Sequence, residues 1–358
     1  MTVSIHPKGH IFARMAVAQA LARNNGGGAS KIAEDLWGPT SIPALALRSA
    51  VPTGGTTDGN WAAALAEYQT AARDFIEALR PKTILGRLSG YRSAPLRTRI
   101  PRSVSGATAY WVGEGAPTPM SSGLLDTVQI DDFKIGSIVA STVELTRLAT
   151  LTAERLVRAD LVAAVSQLSD ASFIDPARAG EAGVSPAAIN FGAPTIAASG
   201  TTAAALRSDL QRLFAQIDTN FENPVLITDR RQAVNLALMG DEFPQVNVNG
   251  GLLAGCPLLT SSSVPSVGSG DSPGDWSTTI TLLDASELII ADDGLATISL
   301  STQATLEMES APDSPRTANT VTVNLWQNDL VAWKVLRFVN WTMARPGAVA
   351  VIVDANYR

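Results

Sequence analysis

Histidine, lysine and cysteine are nearly missing from this chain of 358 residues, and each shortage closes off a class of chemistry. The single Cys256 excludes an intrachain disulfide framework and any multi-thiolate metal site. In LLAGCPLL it reads as a small buried hydrophobe rather than a nucleophile. The two histidines, His6 and His10, stand near the N-terminus, which removes Ser-His-Asp and Cys-His catalysis and histidine-based zinc sites. No catalytic residue, metal ligand or cofactor site is expected, and the chain is not expected to be an enzyme. No apolar run reaches the ~18 to 20 residues of a membrane span, and no basic-then-apolar signal opens the chain. It therefore has no expected place in a membrane.

The 27 basic residues include only five lysines (Lys8, Lys31, Lys82, Lys134, Lys334) and 22 arginines. Planar pairing with carboxylates at interfaces and GC-rich coding account for that bias equally well. The basic residues are scattered and the net charge is −6, so contact with nucleic acid should be weak and general. Asp131/Asp132 and Asp292/Asp293 would alternate faces in a strand, which suits solvated turns or salt bridges better than a shared acid-base site. The glycine runs at 26–28 and 250–251 lack the strand-to-helix setting of a phosphate loop.

What is present is ample material for a core, with 46% hydrophobic residues. FARMAVAQALAR (12–23) reads as a helix ending at NNGGGA, and SKIAEDLWG adds another turn or two before a loop over 38–60. DGNWAAALAEYQTAARDFIEALRP is the first strong helix, with Asp58 as cap, Trp61, Leu65, Tyr68, Ala72, Phe75, Ile76 and Leu79 on one face, and Pro81 at its end. Ser141 and Glu144 form a capping box, a second start follows near Thr152, and the helix from about 153 to 173 is ~30 Å long with Leu161, Ala164, Val165, Leu168 and Ser172 along one side. Leu206, Leu210, Leu213, Phe214 and Ile217 mark a further amphipathic helix, and NPVLITDRRQAVNLALMGD reads as a strand feeding a helix. GGLLAGCPLLTSSSVP reads as a strand pair around a tight turn. TTITLLD, ELIIAD, LATISLSTQATLEME and the closing segment supply more strands, with Trp326, Trp333 and Trp341 contributing to a core. The class is α+β.

From 93 to 140 the pattern predicts a long β-hairpin: APLRTRIPRSVSG, ATAYWVGEG, the tip APTPMSSG, and the return LLDTVQIDDFKIGSIVAST. A two-stranded hairpin is marginal alone in water, and nothing local covers Tyr110, Trp111 and Val112. Another surface must bury them. Arg97 and Arg99 share a face of the outgoing strand, with Arg102 beyond, and the return strand offers Asp126, Asp131 and Asp132. These arginines pair either across the hairpin or with carboxylates of a neighbouring subunit.

The order of these pieces resembles the major capsid proteins of tailed bacteriophages with the HK97-like fold. A leading helix is followed by the open hairpin with its WVGEG-P-P tip (Trp111 to Pro119), ASTVELTRLA into a long helix, NPVLITDRRQAVNLAL, GGLLAGCPLLTSSSVP, and NLWQNDLVAWKVLRFVNWTMARPGAVAVI. The resemblance covers roughly residues 58 to 358 and implies an anatomy. Residues 1–57 would be an N-terminal extension, 58–92 an N-arm helix, and 93–138 the extended E-loop. Residues 139–190 would form the peripheral P-domain with its spine helix, 191–296 the axial A-domain, and 297–358 the P-domain return strands and C-terminal strand.

The resemblance further implies a shell protein that assembles with itself into pentamers and hexamers around double-stranded DNA, made in the bacterial host cytoplasm and resident in the virion. A portal protein and, in some relatives, a scaffold, a maturation protease or a decoration protein would be its partners. It also implies inter-subunit contacts at Arg97, Arg99, Arg102, Tyr110, Trp111, Val112 and Glu114. No lysine lies between 93 and 133, so the Lys-Asn isopeptide lock of some relatives is not expected. The 57 leading residues are too few for a large scaffold domain, although HIFARMAVAQALARNNGGG is compatible with a remnant of one, and a chain starting at Met1 argues against its removal. The alternative is an encapsulin-like nanocompartment shell of the same fold. An α/β hydrolase lacks a base, and a secreted adhesin lacks a signal segment.

Overall fold

The computed structural model describes residues 10–25, 28–47, 75–105, 108–115, 117–120, 124–144, 150–268, 276–309, 312–313, 315–317 and 319–358. The chain runs through α1 (His10–Asn25), α2 (Ala29–Trp37), α3 (Ile42–Leu47), α4 (Ile84–Arg87), β1 (Arg92–Ala94), β2 (Thr98–Ser105), β3 (Leu124–Ile130) and β4 (Lys134–Thr142). It continues with α5 (Thr150–Ile174), β5 (Thr195–Ala197), α6 (Ala203–Phe214), β6 (Pro224–Thr228), α7 (Arg230–Leu238), β7 (Val246–Asn247), β8 (Gly250–Leu253) and β9 (Cys256–Thr260). It closes with β10 (Ser266–Val267), β11 (Ser277–Asp284), β12 (Leu288–Ser301), β13 (Thr305–Leu306), β14 (Val323–Asn324), β15 (Leu330–Met343) and β16 (Val349–Ala355). Two compact units divide the chain, one of Met1–Lys82, Ile135–Ser166 and Gly294–Arg337, the other of Thr83–Lys134, Gln167–Asp293 and Phe338–Arg358. Helix α5 and strands β12 and β15 contribute residues to both.

In the first unit α1, α2 and α3 pack through small residues. Ala18, Ala33 and Ala44 are all fully buried, with Trp37 and Leu47 against them. The predicted helix over 58–81 is seen as a helical turn at 75–79, whose Phe75, Ile76 and Leu79 are buried as its stripe requires. Asp58, Trp61, Leu65, Tyr68 and Ala72 lie outside the described residues. Those three side chains meet Leu161, Val162 and Val165 of α5 and Ala296, Leu300, Val331, Trp333 and Val335 of the strands. Strand β4 alternates exposed and half-buried positions throughout, the period of a strand with one covered face.

Four expectations about these elements are corrected. Ser141 lies inside β4, which runs to Thr142, and the helical residues 143–144 follow directly; α5 begins at Thr150, close to the second start expected near Thr152. Ala164 and Leu168 of α5 are exposed, and the helix buries Ser169, Asp170, Phe173 and Ile174 beyond its first buried positions Leu161, Val162 and Val165. Trp333 and Trp341 are core residues at 1% and 4% exposure, but Trp326 is 74% exposed, because it stands in the turn between β14 and β15. The stretch 38–60, read as loop, contains α3.

The second unit is built on an eight-stranded sheet with the order β5-β16-β11-β6-β9-β8-β7, β10 pairing with β11. Strands β6 and β11 are buried along nearly their whole length, which is why they read as unbroken apolar runs. Helix α6 starts at Thr202, whose hydroxyl accepts from the Ala205 amide at 3.3 Å, and α7 at Asp229, which accepts from the Arg231 amide at 2.7 Å. Leu206, Leu210 and Leu213 of α6 and Leu236 of α7 join Leu226, Ile280, Leu282, Ile352 and Tyr357 in one core, as the helical spacing predicted. The β8–β9 turn places Ala254 and Gly255 at φ 53° and 80°, the two positive values that a twisted two-residue hairpin needs.

Candidate functional site

Among the described residues strands β2 and β3 pair only with each other, from Thr98 opposite Ile130 to Ser105 opposite Leu124. Their root is fixed. Ile130 is fully buried among Ala94, Ile289, Ala291 and Ala344, with Leu96 and Ile100 packed alongside. The return strand ends at Ile130 instead of running on through 142. Two long-range hydrogen bonds draw the chain off: Asn340 Nδ2 donates to the Asp131 carbonyl at 2.7 Å, and the Val339 amide donates to the Phe133 carbonyl at 3.0 Å. Lys134 therefore opens β4 and is not a hairpin residue.

The predicted site residues separate into two groups. Arg97 precedes β2 at φ 59°, so it does not share a strand face with Arg99. It closes a bidentate pair with Asp132, Nε to Oδ1 at 2.9 Å and the terminal nitrogen to Oδ2 at 2.7 Å. Hydrogen bonding to Arg97 holds the Asp132 carboxyl below its ordinary pKa and raises that of Arg97. Arg99 Nε donates to Gln129 Oε1 at 3.3 Å, and Gln129 Nε2 donates in turn to Asp131 Oδ1 at 2.7 Å. Arg102 stands opposite Asp126 in register. Within a single chain Arg97 and Arg99 find their partners at Asp132 and Gln129 of the return segment.

At the far end, the segment expected as strand around Tyr110 is irregular chain leading to a turn at Glu114 and Gly115, where Gly115 takes φ 78°. Trp111 is 105% exposed, Met120 98% and Tyr110 52%; Val112 and Glu114 are exposed too. Trp111 and Met120 expose as much surface as an unfolded chain would. Sequence reading did not single out Met120, though its place in a Pro/Ser tip was the available signal. It also missed a cleft of about 260 Å³ at the hairpin root, where Arg92 and Arg345 face Glu287, since those residues are remote in sequence.

Buried polar groups elsewhere hold the fold. Asp170 accepts from the Ile84 amide and the Ser261 hydroxyl, both at 2.7 Å, and burial pushes its carboxyl above the ordinary value. Cys256 is buried, and burial alone raises its thiol pKa, which leaves it a poor nucleophile. Among the described residues no cluster of histidine, cysteine, aspartate and glutamate is arranged to hold a metal, and no helix is long and apolar enough to cross a membrane.

An α+β chain with a free-standing hairpin, a long helix crossing from one unit to the other, and a sheet-and-helix unit is the HK97-like capsid fold. A solved chain of Gordonia phage Cozz superposes with a TM-score of 0.51 at 14% identity, covering 86% of this chain and 97% of that one. A chain of Mycobacterium phage Ogopogo gives 0.53 at 14% identity over 76% and 92%. The chain belongs to the phage capsid family, whose model matches residues 68–354. It is 36% identical over 368 residues to the capsid polyprotein of Pseudomonas phage PAJU2, across 98% of this chain and 54% of that protein. It is 30% identical over 164 residues to the major capsid protein of Klebsiella oxytoca phage phiKO2, across 45% of this chain and 36% of that protein. The chain thus spans about half the length of the first relative, and the match to the second covers about a third of that protein.

Proposed function

We propose that this protein is the structural subunit of a tailed-phage head, assembling with itself into an icosahedral shell around packaged double-stranded DNA. The family match and the relatives' names as capsid proteins support a phage shell and disfavour the encapsulin-like compartment. In this reading 93–138 is the E-loop, 58–92 the N-arm, 139–190 and the return strands of 297–358 the P-domain, and 191–296 the A-domain. Residues 1–57 are the extension. Pentamers and hexamers form the shell, a portal protein occupies one vertex, and scaffold, protease or decoration proteins act on it during maturation. The site of action is the virion, with assembly in the host cytoplasm.

One observation carries the reading: Trp111 projects fully into solvent at the end of a hairpin whose root is packed firmly in the core. A soluble chain keeps such a residue exposed when a partner covers it. Covering one aromatic of ~150 to 250 Å² at ~25 cal/mol per Å² contributes ~4 to 6 kcal/mol before ordering costs. Trp111→Ala should leave the unassembled subunit with an unchanged thermal midpoint while shells disappear from electron micrographs and sedimentation profiles. A variant that unfolds would place Trp111 in a core, and one that assembles normally would remove the strap.

A further inference from the structure

We propose that the cleft at the root of the hairpin is the acceptor for the hairpin tip of a second copy of this chain, with Glu114 seated between Arg345 and Arg92 and Trp111 on the apolar wall beside them. This rests on the strap reading above and names the surface that the strap grips.

The cleft is asymmetric in charge. Glu287 is 7% exposed and lies 3.6 Å from Arg345 Nε and 4.0 Å from a terminal nitrogen of Arg92, both at the outer limit of an ion pair. Two guanidinium groups thus share one carboxylate, and their side chains remain 47% and 61% exposed. One positive charge is left for an incoming anion, and a guanidinium fork suits a carboxylate. Ile100, Pro101 and Ile289 supply an apolar wall to the same cleft. The tip matches this pattern. Glu114 is its only charge, since no other charged residue lies between 103 and 125, and it is flanked by Trp111 and Val112.

The larger concavity of the same unit, about 500 Å³ and bordered by Phe133, Pro186 and Trp341, is the natural competitor. Its charged residues are Asp131 and Glu181, which would oppose Glu114. A chain's own tip cannot fill its own root cleft. Ile100 lies near the start of β2, the strand alone carries the chain ~17 Å away by Ser105 at ~3.3 Å per residue, and Trp111 beyond it is fully exposed rather than seated on its own chain. The tip of one copy on the root of the next is a head-to-tail contact, the kind that builds a ring when its rotation closes.

A charge swap tests the acceptor. Glu114→Arg and Arg345→Glu should each lower the yield of assembled particles by about tenfold or more, and the double variant should recover to within about threefold of the parent. Because Arg345→Glu sets a second carboxylate beside Glu287, a route free of that risk is added. Glu114→Cys with Arg345→Cys in a Cys256→Ala background is treated, as assembled particles, with a short bis-maleimide. A ladder of covalent oligomers is expected, absent from either single-cysteine control. No ladder in intact particles, or full assembly of Glu114→Arg, overturns the acceptor. If that happens while Trp111→Ala still abolishes shells, the strap stands and only its seat is wrong; if Trp111→Ala also assembles, the strap itself falls.

Discussion

Removing one hydroxyl at Tyr357 should destabilise the sheet-and-helix unit by about 2 kcal/mol, because the group it serves is a buried charge. Tyr357 and Asp209 are both fully buried, and the phenol donates to Asp209 Oδ2 at 2.8 Å. Asp209 also accepts from the Ser199 amide at 2.8 Å and from Arg212 at 2.5 Å, while the Tyr357 carbonyl accepts from Gln232 Nε2 at 3.0 Å. Burial by itself would raise the Asp209 carboxyl. The donors from Ser199, Tyr357 and Arg212 outweigh it and hold the carboxyl below its ordinary value of 3.8. Burial first, and then Asp209, push the phenol well above its own ordinary value, so it remains a donor throughout the accessible range.

Phenylalanine fills the same ring space and takes away only the donor, so Tyr357→Phe isolates a hydrogen bond to a charged acceptor, ~1.5 to 3 kcal/mol. Urea unfolding of unassembled subunits at neutral pH should show a lower midpoint with an unchanged slope. The pH dependence has a defined sign. A carboxyl depressed in the folded state contributes stability above its unfolded value, and loses it as pH falls through the folded value. The penalty of the variant should therefore shrink once the pH passes well below 3.8. A variant within about 0.5 kcal/mol of the parent at neutral pH, or a penalty that stays constant into strong acid, would refute the reasoning.

Two more outcomes follow from burial. Trp333→Ala, at a position 1% exposed in the first unit's core, should cost about 3 to 5 kcal/mol in thermal or urea unfolding, whereas Trp326→Ser, 74% exposed, should change subunit stability by less than about 0.5 kcal/mol. Asp170 is raised by its burial, against the hydrogen bonds from Ser261 and Ile84, so the folded state holds its proton more tightly than the unfolded chain does. Its contribution to stability grows as pH falls from that raised value toward 3.8, and Asp170→Asn should abolish this increment; identical pH profiles for parent and variant would argue against it.

Local periodicity made much of this fold legible, and long-range contacts account for what it hid. Leu206, Leu210 and Leu213 fall one helical turn apart and all enter the core, and the AG turn of LLAGCPLL forms with both residues at positive φ. Helix α5 defeated the same logic at Leu168, because its inward face is rotated toward Asp170, a polar residue buried by bonds to Ile84 and Ser261 far along the chain. Hydrophobicity cannot announce a buried carboxylate. Trp326 was misplaced for the converse reason: its size suggested core, while the turn formed around Asn324, whose side chain accepts from the Trp326 amide at 2.9 Å, turns it outward. At the hairpin, the uncovered aromatics were readable from their neighbours in sequence, and Asp132 was one of three aspartates offered to Arg97 in one of two open readings. The left-handed backbone of Arg97 and the gathering of Arg92, Glu287 and Arg345 were not, because separate strands bring them together.

On the proposed strap reading the same tip stays unpaired before assembly and binds firmly afterwards, and its composition reconciles the two demands. An exposed edge rich in aromatics invites strand addition by any passing chain. Pro117 and Pro119 each lack the amide that a ladder requires, and Gly115 holds a left-handed turn, so the tip does not offer a continuous edge. Partners must then recognise it through side chains, which calls for a preformed concave surface rather than a free strand. The root of the hairpin, held by Ile130 in a packed cluster, keeps such a surface in place before any partner arrives. In the proposed seating, rigidity at the root and exposed apolar area at the tip are complementary halves of one contact between two copies of the chain.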